Sequence, residues 1–477
     1  MKKILDNIRN NPTILLITIL SFFFNFFKLS YLMPFIGDQG WFYLSARDML
    51  LTGKIPLVGI TSSHTWLHQG PLWTYVLALL FKVSDFNPLF PGYVTAGVGV
   101  LTVFLMYFIG KVVFSKNVGL LAAFLYSMSP LVILEARMPY HTSFIPLITL
   151  LYFYSLFKWI TGNRLGFIAG FFLLAVLYNL ELATVVLAGP LLLLVGIGVY
   201  KKTFWFKNIL NKRTLLPALA CFFLPLLPVI LYDTHHGYPQ TIMFAVWLVY
   251  AVLHPILRYI MPLSPSVPGS NFWQITLLYV REVFFLSSTI TAVTIAAFGM
   301  MVFFYAVIKQ QLYKQKSIAL VIAFFLVTVL SYLSMMTPSE AYLPMAIPFL
   351  MFAFAIGVVS IASKKLRVLL YFGICLLAAV NSFFLLQKHY EVSPGPTFAE
   401  RVGVVKQIIV EAHGKPYNLY AKGAGSQFQS FTMNYQYLAW WLGDPPSSAK
   451  QKQGFFIQEK NGTIILQKKV VSSSLRK

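Results

Sequence analysis

The first residue with chemistry to offer is a carboxylate at the edge of a long apolar run. Asp38 stands at the head of "GDQGWFYLSARDML", residues 37–50. A carboxylate there could take the proton of an attacking hydroxyl, which is general-base work. It could equally cap the helix begun by Trp41, Phe42 and Tyr43. More polar groups sit at the ends of other apolar runs. "EARMPYH" supplies Glu135, Arg137 and His141, "TPSEAYLP" supplies Glu340 and Tyr342, and Arg258 and Arg281 lie in a long loop. A guanidinium fork suits a phosphate, although Arg137 could simply snorkel to the surface. His64 and His68 in "HTWLHQGPLW" have a helical metal spacing. No carboxylate completes that set and Gly70-Pro71 breaks the helix, so His68 reads better as a group facing an anion. Asp233, His235 and His236 in "DTHHGYP" read as a polar loop end. No P-loop, Rossmann fingerprint or nucleophile elbow is present, so nucleotide-driven chemistry has no support.

These residues must be positioned by a membrane protein. Hydrophobic residues make up 58% of the 477 and charged residues 11%, too apolar a balance for a soluble chain. Aromatics at 17% suit interfacial belts. The net charge of +23 would suggest nucleic acid in a soluble protein, but the basic residues fall mostly in short gaps between apolar runs. Cys221 and Cys375 lie inside apolar runs, with no disulfide framework or zinc spacing. The basic start resembles a signal peptide, but the stretch from Ile14 to Met33 is long enough to span and no cleavage site follows, so it reads as a retained helix.

Eleven spans are predicted, near 12–33, 88–110, 117–134, 142–160, 165–181, 184–200, 214–232, 283–307, 317–335, 341–360 and 366–386. With the N-terminus inside, the inner turns carry Lys111 and Lys116, Lys158 and Arg164, Lys201 to Arg213, Lys309 to Lys316, and Lys364 to Arg367. Asp38, Asp48, Asp85, Glu135, Glu181, Asp233, Glu282 and Glu340 then all fall at outer ends or loops. Two readings fit: acids are excluded from inner loops, or a polar site occupies the outer face.

Residues 1–386 read as an all-α transmembrane domain with outer loops 34–87 and 233–282. The first loop holds a helix over Trp41–Leu51 and a second over Pro71–Val83, too short to span and interfacial in character. The other holds an apolar stretch, Ile242 to Leu257, and the irregular "PLSPSVPGSN". Residues 387–477 read as a small outer α/β domain. It has an amphipathic helix over Thr397–His413, a strand over Tyr417–Ala421 and a terminal hairpin turning at Asn461-Gly462.

"DQGWFYLSARDMLLTGKIPLVG", "HQGPLWTYVLALL", "LLAAFLYSMSPLVILEARMPY" and "EAYLPMAIPFLMFAF" resemble the protein O-mannosyltransferase-like family of integral-membrane glycosyltransferases. Lipid A aminoarabinose transferases belong to the same broad superfamily. The resemblance implies a polytopic helical enzyme of the cell membrane that moves a sugar from a polyprenyl-phosphate donor to an acceptor hydroxyl on the outer face. It places the catalytic acid at Asp38 and implies direct displacement with inversion. The donor phosphate would meet cations among His68, Arg137, Arg258 and Arg281. Gln39, Glu135, His141, Glu340 and Tyr342 would serve the sugar or a glycan, lipid or protein acceptor. Asp38-Gln39 stands where the family often has Asp-Glu, and His141 stands near a second family aspartate. No cofactor is identified beyond the polyprenyl-phosphate sugar as donor substrate, and a divalent metal stays open without support in the sequence. The rival reading is a transporter or lipid flippase, which would account for the spans and Lys28 but less well for the outer acids.

Overall fold

Inside a bilayer the backbone has no water to bond with, so long apolar runs must close their own hydrogen bonds as helices. In the computed structural model they do. The residues described are 11–62, 66–207, 211–260, 271–335, 340–392, 395–460 and 462–470. The basic N-terminal start, His64, most of the Pro/Ser/Gly-rich segment and Asn461 lie outside them. In chain order the main helices are α1 (Pro12–Phe26), α2 (Gly37–Thr52), α3 (Leu72–Ser84), α4 (Phe90–Val113), α5 (Lys116–Ser127) and α6 (Pro130–Ala136). There follow α7 (Ile145–Ile160), α8 (Arg164–Leu180), α9 (Ala188–Tyr200), α10 (Lys212–His236), α11 (Pro239–Ile260) and α12 (Asn271–Phe284). The last are α13 (Thr289–Lys309), α14 (Lys316–Met335), α15 (Leu343–Val359), α16 (Lys364–Val392), α17 (Phe398–Ala412) and α18 (Met433–Trp441).

This is a multi-pass membrane protein. Among the described residues eight helical segments are long and apolar enough to cross a membrane, or nine if α5 and α6, bent by 70°, form one broken span. Pro130 at the start of α6 cannot continue the ladder of α5, which accounts for the bend. The other two expected spans are apolar helices of 15 and 17 residues, α1 and α8. The expected span over 12–33 is interrupted: Lys28 takes a left-handed φ of 48° just after α1. The stretch expected over 242–257 is the helix α11.

Asp233 resolves as a helix cap. Its carboxylate accepts from the backbone N–H of Gln240 and of Thr241, both at 2.8 Å, and so closes the start of α11. His235 and His236 bond back to carbonyls of their own helix, as a polar loop end should.

The tail builds a three-stranded sheet in the order β1-β2-β3. β1 (Tyr417–Ala421) pairs parallel with β2 (Gln453–Lys460), which pairs antiparallel with β3 (Thr463–Val470). Gly462, with φ 74°, lies in the turn between β2 and β3. Thr397 and Glu400 form the capping box that starts α17. Arg401 is fully buried, and its Nη2 donates to both oxygens of Glu459, at 3.0 and 2.9 Å.

The tail does not have a core to itself. Phe42, Tyr43 and Ala46 of α2, Trp73, Leu77 and Phe81 of α3, and Tyr435, Tyr437 and Leu438 of α18 pack into one apolar cluster. The helix α2, expected at the membrane interface, is roofed by the tail. Two glycines allow the close approach. A Cβ on Gly37 would lie 2.2 Å from the Ser430 carbonyl oxygen, and one on Gly40 would lie 2.1 Å from the Asn434 backbone nitrogen. Gly40→Val should therefore push α18 off α2 and cost roughly 1–3 kcal/mol or more, as overpacking does. Limited proteolysis should then cut the tail of the variant faster than that of wild type, and a protection pattern equal to wild type would remove Gly40 from this role.

Candidate active site

At one end of the bundle a cavity of about 560 Å³ is lined by Asp38, Glu135, Glu181 and Glu340, with Tyr140 and Tyr279 among its other walls. The chain's passes explain the gathering. α8 ends at Glu181, α15 follows Glu340, and α7 follows the turn that holds Tyr140 and Thr142. The basic ends lie opposite: Lys111 ends α4, Lys158 ends α7, Arg164 starts α8, Lys212 starts α10 and Lys364 starts α16.

Asp38 sits in the first turn of α2, whose N-cap is Ile36, so it does not cap the helix. The helix N-terminus still favours its charge. Gln39 closes the helix start, its Oε1 accepting from the Ile36 N–H at 3.0 Å. It is fully buried and lies outside the cavity wall.

Glu181 is the most elaborately held of the carboxylates. One oxygen meets Nε2 of His141 at 3.0 Å and accepts from Nε2 of Gln69 at 3.1 Å; the other accepts from the Ala183 N–H at 3.2 Å. His141 is wholly buried, and its Nδ1 has no hydrogen-bond partner among the described residues. Tyr279 bonds Glu340, and Thr142 bonds Glu135. Burial first, and then the charges of Asp38, Glu181, Glu340 and Glu135, push the Tyr140 phenol well above its usual range, so it stays a donor.

The structure thus brings together Asp38, Glu135 and Glu340, with His141 behind Glu181. It places His68, Tyr342 and Arg137 elsewhere. His68 is latched to Gln240: its backbone N–H donates to Oε1 at 2.8 Å and its Nδ1 lies 3.0 Å from Nε2. Burial lowers its pKa, so it stands as a neutral hydrogen-bonding group at neutral pH. Tyr342 is buried in the bundle core beside Tyr332. Arg258 lies on α11, with its side chain outside the described residues.

Arg137 is only 3% exposed and donates from Nη2 to the Phe27 carbonyl at 2.7 Å. Burial lowers its pKa to about 10, so it keeps its charge at neutral pH. It braces the break after α1 and is not part of the cavity wall. Arg137→Ala should cost about 1–3 kcal/mol, the penalty of a buried carbonyl left unsatisfied. A thermal-unfolding midpoint equal to wild type would rule the brace out.

Sequence reasoning counted Glu181 among the outer acids but gave it no part in the site, and it missed Gln69, Tyr140 and Tyr279. Gln69 and Tyr140 flank His68 and His141, which were singled out, and that adjacency was the signal available.

With this geometry in place, the backbone can be compared with solved proteins. It is similar to the apo oligosaccharyltransferase of Archaeoglobus fulgidus, with a TM-score of 0.53 at 11% identity, over 90% of this chain and 63% of that one. The fold is the GT-C fold of membrane glycosyltransferases. Another structure with this fold is the same organism's AglB in complex with an inhibitory peptide and a dolichol-phosphate, at TM-score 0.50 and 11% identity, over 94% of this chain and 69% of that one. ArnT from Cupriavidus metallidurans bound to undecaprenyl phosphate aligns at 0.44 and 10% identity, over 93% and 92%. No family model and no curated protein matches the sequence. The chain spans 61–63% of the first oligosaccharyltransferase chains it matches.

One GT-C neighbour is a complex with zinc and sulfate. A zinc site needs three or four converging ligands. Among the described residues no three His, Cys, Asp or Glu side chains gather closely enough to hold an ion. The carboxylates of this cavity do not fit such a centre.

Proposed function

We propose that this protein is a membrane glycosyltransferase that moves a sugar from a polyprenyl-phosphate donor to an acceptor hydroxyl, with Asp38 as the base. The observation that carries this is the single cavity in which Asp38 faces Glu135, Glu181 and Glu340 at the end of a GT-C bundle. The acceptor oxygen forms a bond to the anomeric carbon as that carbon's bond to the phosphate oxygen breaks. The proton passes to Asp38, and the leaving polyprenyl phosphate keeps the electron pair. Displacement from the opposite face inverts the centre. Tyr140 and Tyr279, as neutral donors, and the other carboxylates bind sugar hydroxyls.

A second cavity supports a lipid donor. It is a cleft of about 480 Å³ between α5, α13, α15 and α16, lined by apolar side chains such as Met128, Phe298, Phe354, Phe372 and Leu377. One helix connects the two places. On α12, Tyr279 lines the polar cavity while Val283 and Phe284 line the apolar cleft. Arg281 falls between them in sequence, and its Nε is buried without a hydrogen-bond partner among the described residues. A lipid tail in the cleft would bring its phosphate to Arg281, a pre-organised fork for it. Arg258 is the second cation we assign to the donor. The basic residues at the opposite end support an inside N-terminus, with this site and the tail on the outer face of the cell membrane.

The test uses purified protein in lipid with radiolabelled sugar on polyprenyl phosphate. Labelled product or released sugar that depends on Asp38 is the expected result. A donor panel of hexosyl and pentosyl phosphates left wholly intact would overturn the proposal.

A further inference from the structure

The helix that carries Asp38 also borders a feature of different character. Between α2 and α18 lies an open cleft of about 940 Å³. Trp41, Ser45 and Asp48 line it from α2, and Met433, Gln436 and Trp440 line it from α18. Both sets follow helical spacing, so each is one face of its helix. On α2 that face includes Asp38: Trp41, Ser45 and Thr52 follow it at three, seven and fourteen residues. From Asp38 to Thr52 the helix rises roughly 21 Å at 1.5 Å per residue. The glycines that seat the tail lie on the adjoining face, so the tail forms one wall and leaves the Asp38 face open.

The chemistry of the lining is particular. Two half-buried tryptophans offer flat apolar faces. Around them stand side chains with fixed or planar hydrogen-bonding groups. Arg47 lies 5.0 Å over the Trp440 ring and is bonded to Asp48 at 2.8 Å, and Gln436 donates to Thr432 at 3.0 Å. The two long walls are helices whose backbone groups are already bonded, and the loop segments that complete the lining, Lys54–Pro56 and Pro445-Pro446, carry prolines that have no N–H to give an extended peptide. A purely apolar lipid would take the arginine, aspartate and glutamine out of water and offer them no further hydrogen bond. A sugar ring has both properties the cleft needs: a face of C–H groups to lie on tryptophan and an edge of hydroxyls to bond carboxylate, amide and guanidinium.

We infer that this cleft binds an oligosaccharide, laid along α2 so that its terminal hydroxyl reaches Asp38. This deepens the transferase reading by naming the acceptor as a saccharide, and rests on that reading only for the direction in which the chain points. Binding itself needs no donor.

The experiment uses the full chain in detergent, without donor, and reads saturation-transfer NMR signals from mannohexaose, maltohexaose and chitohexaose. At least one should bind saturably, and Trp440→Ala and Asp48→Ala should each weaken it tenfold or more. Trp440→Phe should retain most of the affinity, which guards against a merely unfolded variant. Absence of binding by all three sugars at millimolar concentration would overturn the inference. So would binding indifferent to Trp440→Ala and Asp48→Ala, or cleft-dependent binding of a decapeptide pool in place of the sugars. A protein that cleaves labelled donor yet binds no hexasaccharide would fail here alone. One that binds sugar in the cleft but never cleaves donor would fail only as a transferase.

Discussion

Asp38→Asn should lower sugar transfer by about 10²–10⁴-fold, the usual contribution of a general base, while the protein folds and binds donor normally. The structure makes the substitution informative. Asp38 lies in the first turn of α2 behind the N-cap Ile36, so no cap is lost. What is lost in stability is the attraction of a charge to a helix N-terminus, about 0.3–1 kcal/mol. Asparagine keeps the shape and removes the proton acceptor. The effect should fall on turnover at saturating donor and acceptor, and Asp38→Ala should be no worse in stability than Asp38→Asn by more than that small amount. Turnover within a few-fold of wild type in Asp38→Asn would show that another group takes the proton.

The second large effect is expected at Glu181, where two substitutions separate structure from chemistry. Glu181→Leu removes the acceptor shared by His141 and Gln69. His141 would then have neither ring nitrogen bonded to a side chain in a wholly buried position. At about 1–3 kcal/mol for each buried polar group left unsatisfied, two groups amount to roughly 2–6 kcal/mol, enough to unfold many domains. Glu181→Gln keeps an acceptor oxygen and the side-chain shape, and should stay folded. It removes the negative charge from the cavity wall. If that carboxylate holds a substrate hydroxyl, the lost charge-assisted bond is worth about 1.5–3 kcal/mol, or about tenfold to more than a hundredfold in kcat/KM. Wild-type kcat/KM in Glu181→Gln, together with an unfolded Glu181→Leu, would make Glu181 a positioning residue for His141 and nothing more.

Membrane character, the helical segments and the opposition of acids to bases were all set by the sequence. A helix in lipid is dictated by local composition, because each span must satisfy its own backbone. The same holds for the tail, where Tyr417–Ala421 as a strand and a hairpin turning near Gly462 follow from local patterning and turn chemistry. Asp38 stood out because a carboxylate beside a bilayer is costly without a use. Other decisions belonged to tertiary structure. Which acids meet depends on how α8, α12 and α15 pack, and no spacing along the chain encodes that Glu181 faces Asp38 across one cavity. The same packing sent Arg137 to the carbonyl of Phe27 and His68 to Gln240. A side chain's partner is set by the chain that comes back to it, in these cases from as many as 172 residues away. The tail's seat on Gly37 and Gly40 is of the same kind. In the sequence those glycines are two small residues in an aromatic helix. Only the approach of Ser430 and Asn434 shows why nothing larger fits, because a missing side chain has meaning only against the surface that fills its place.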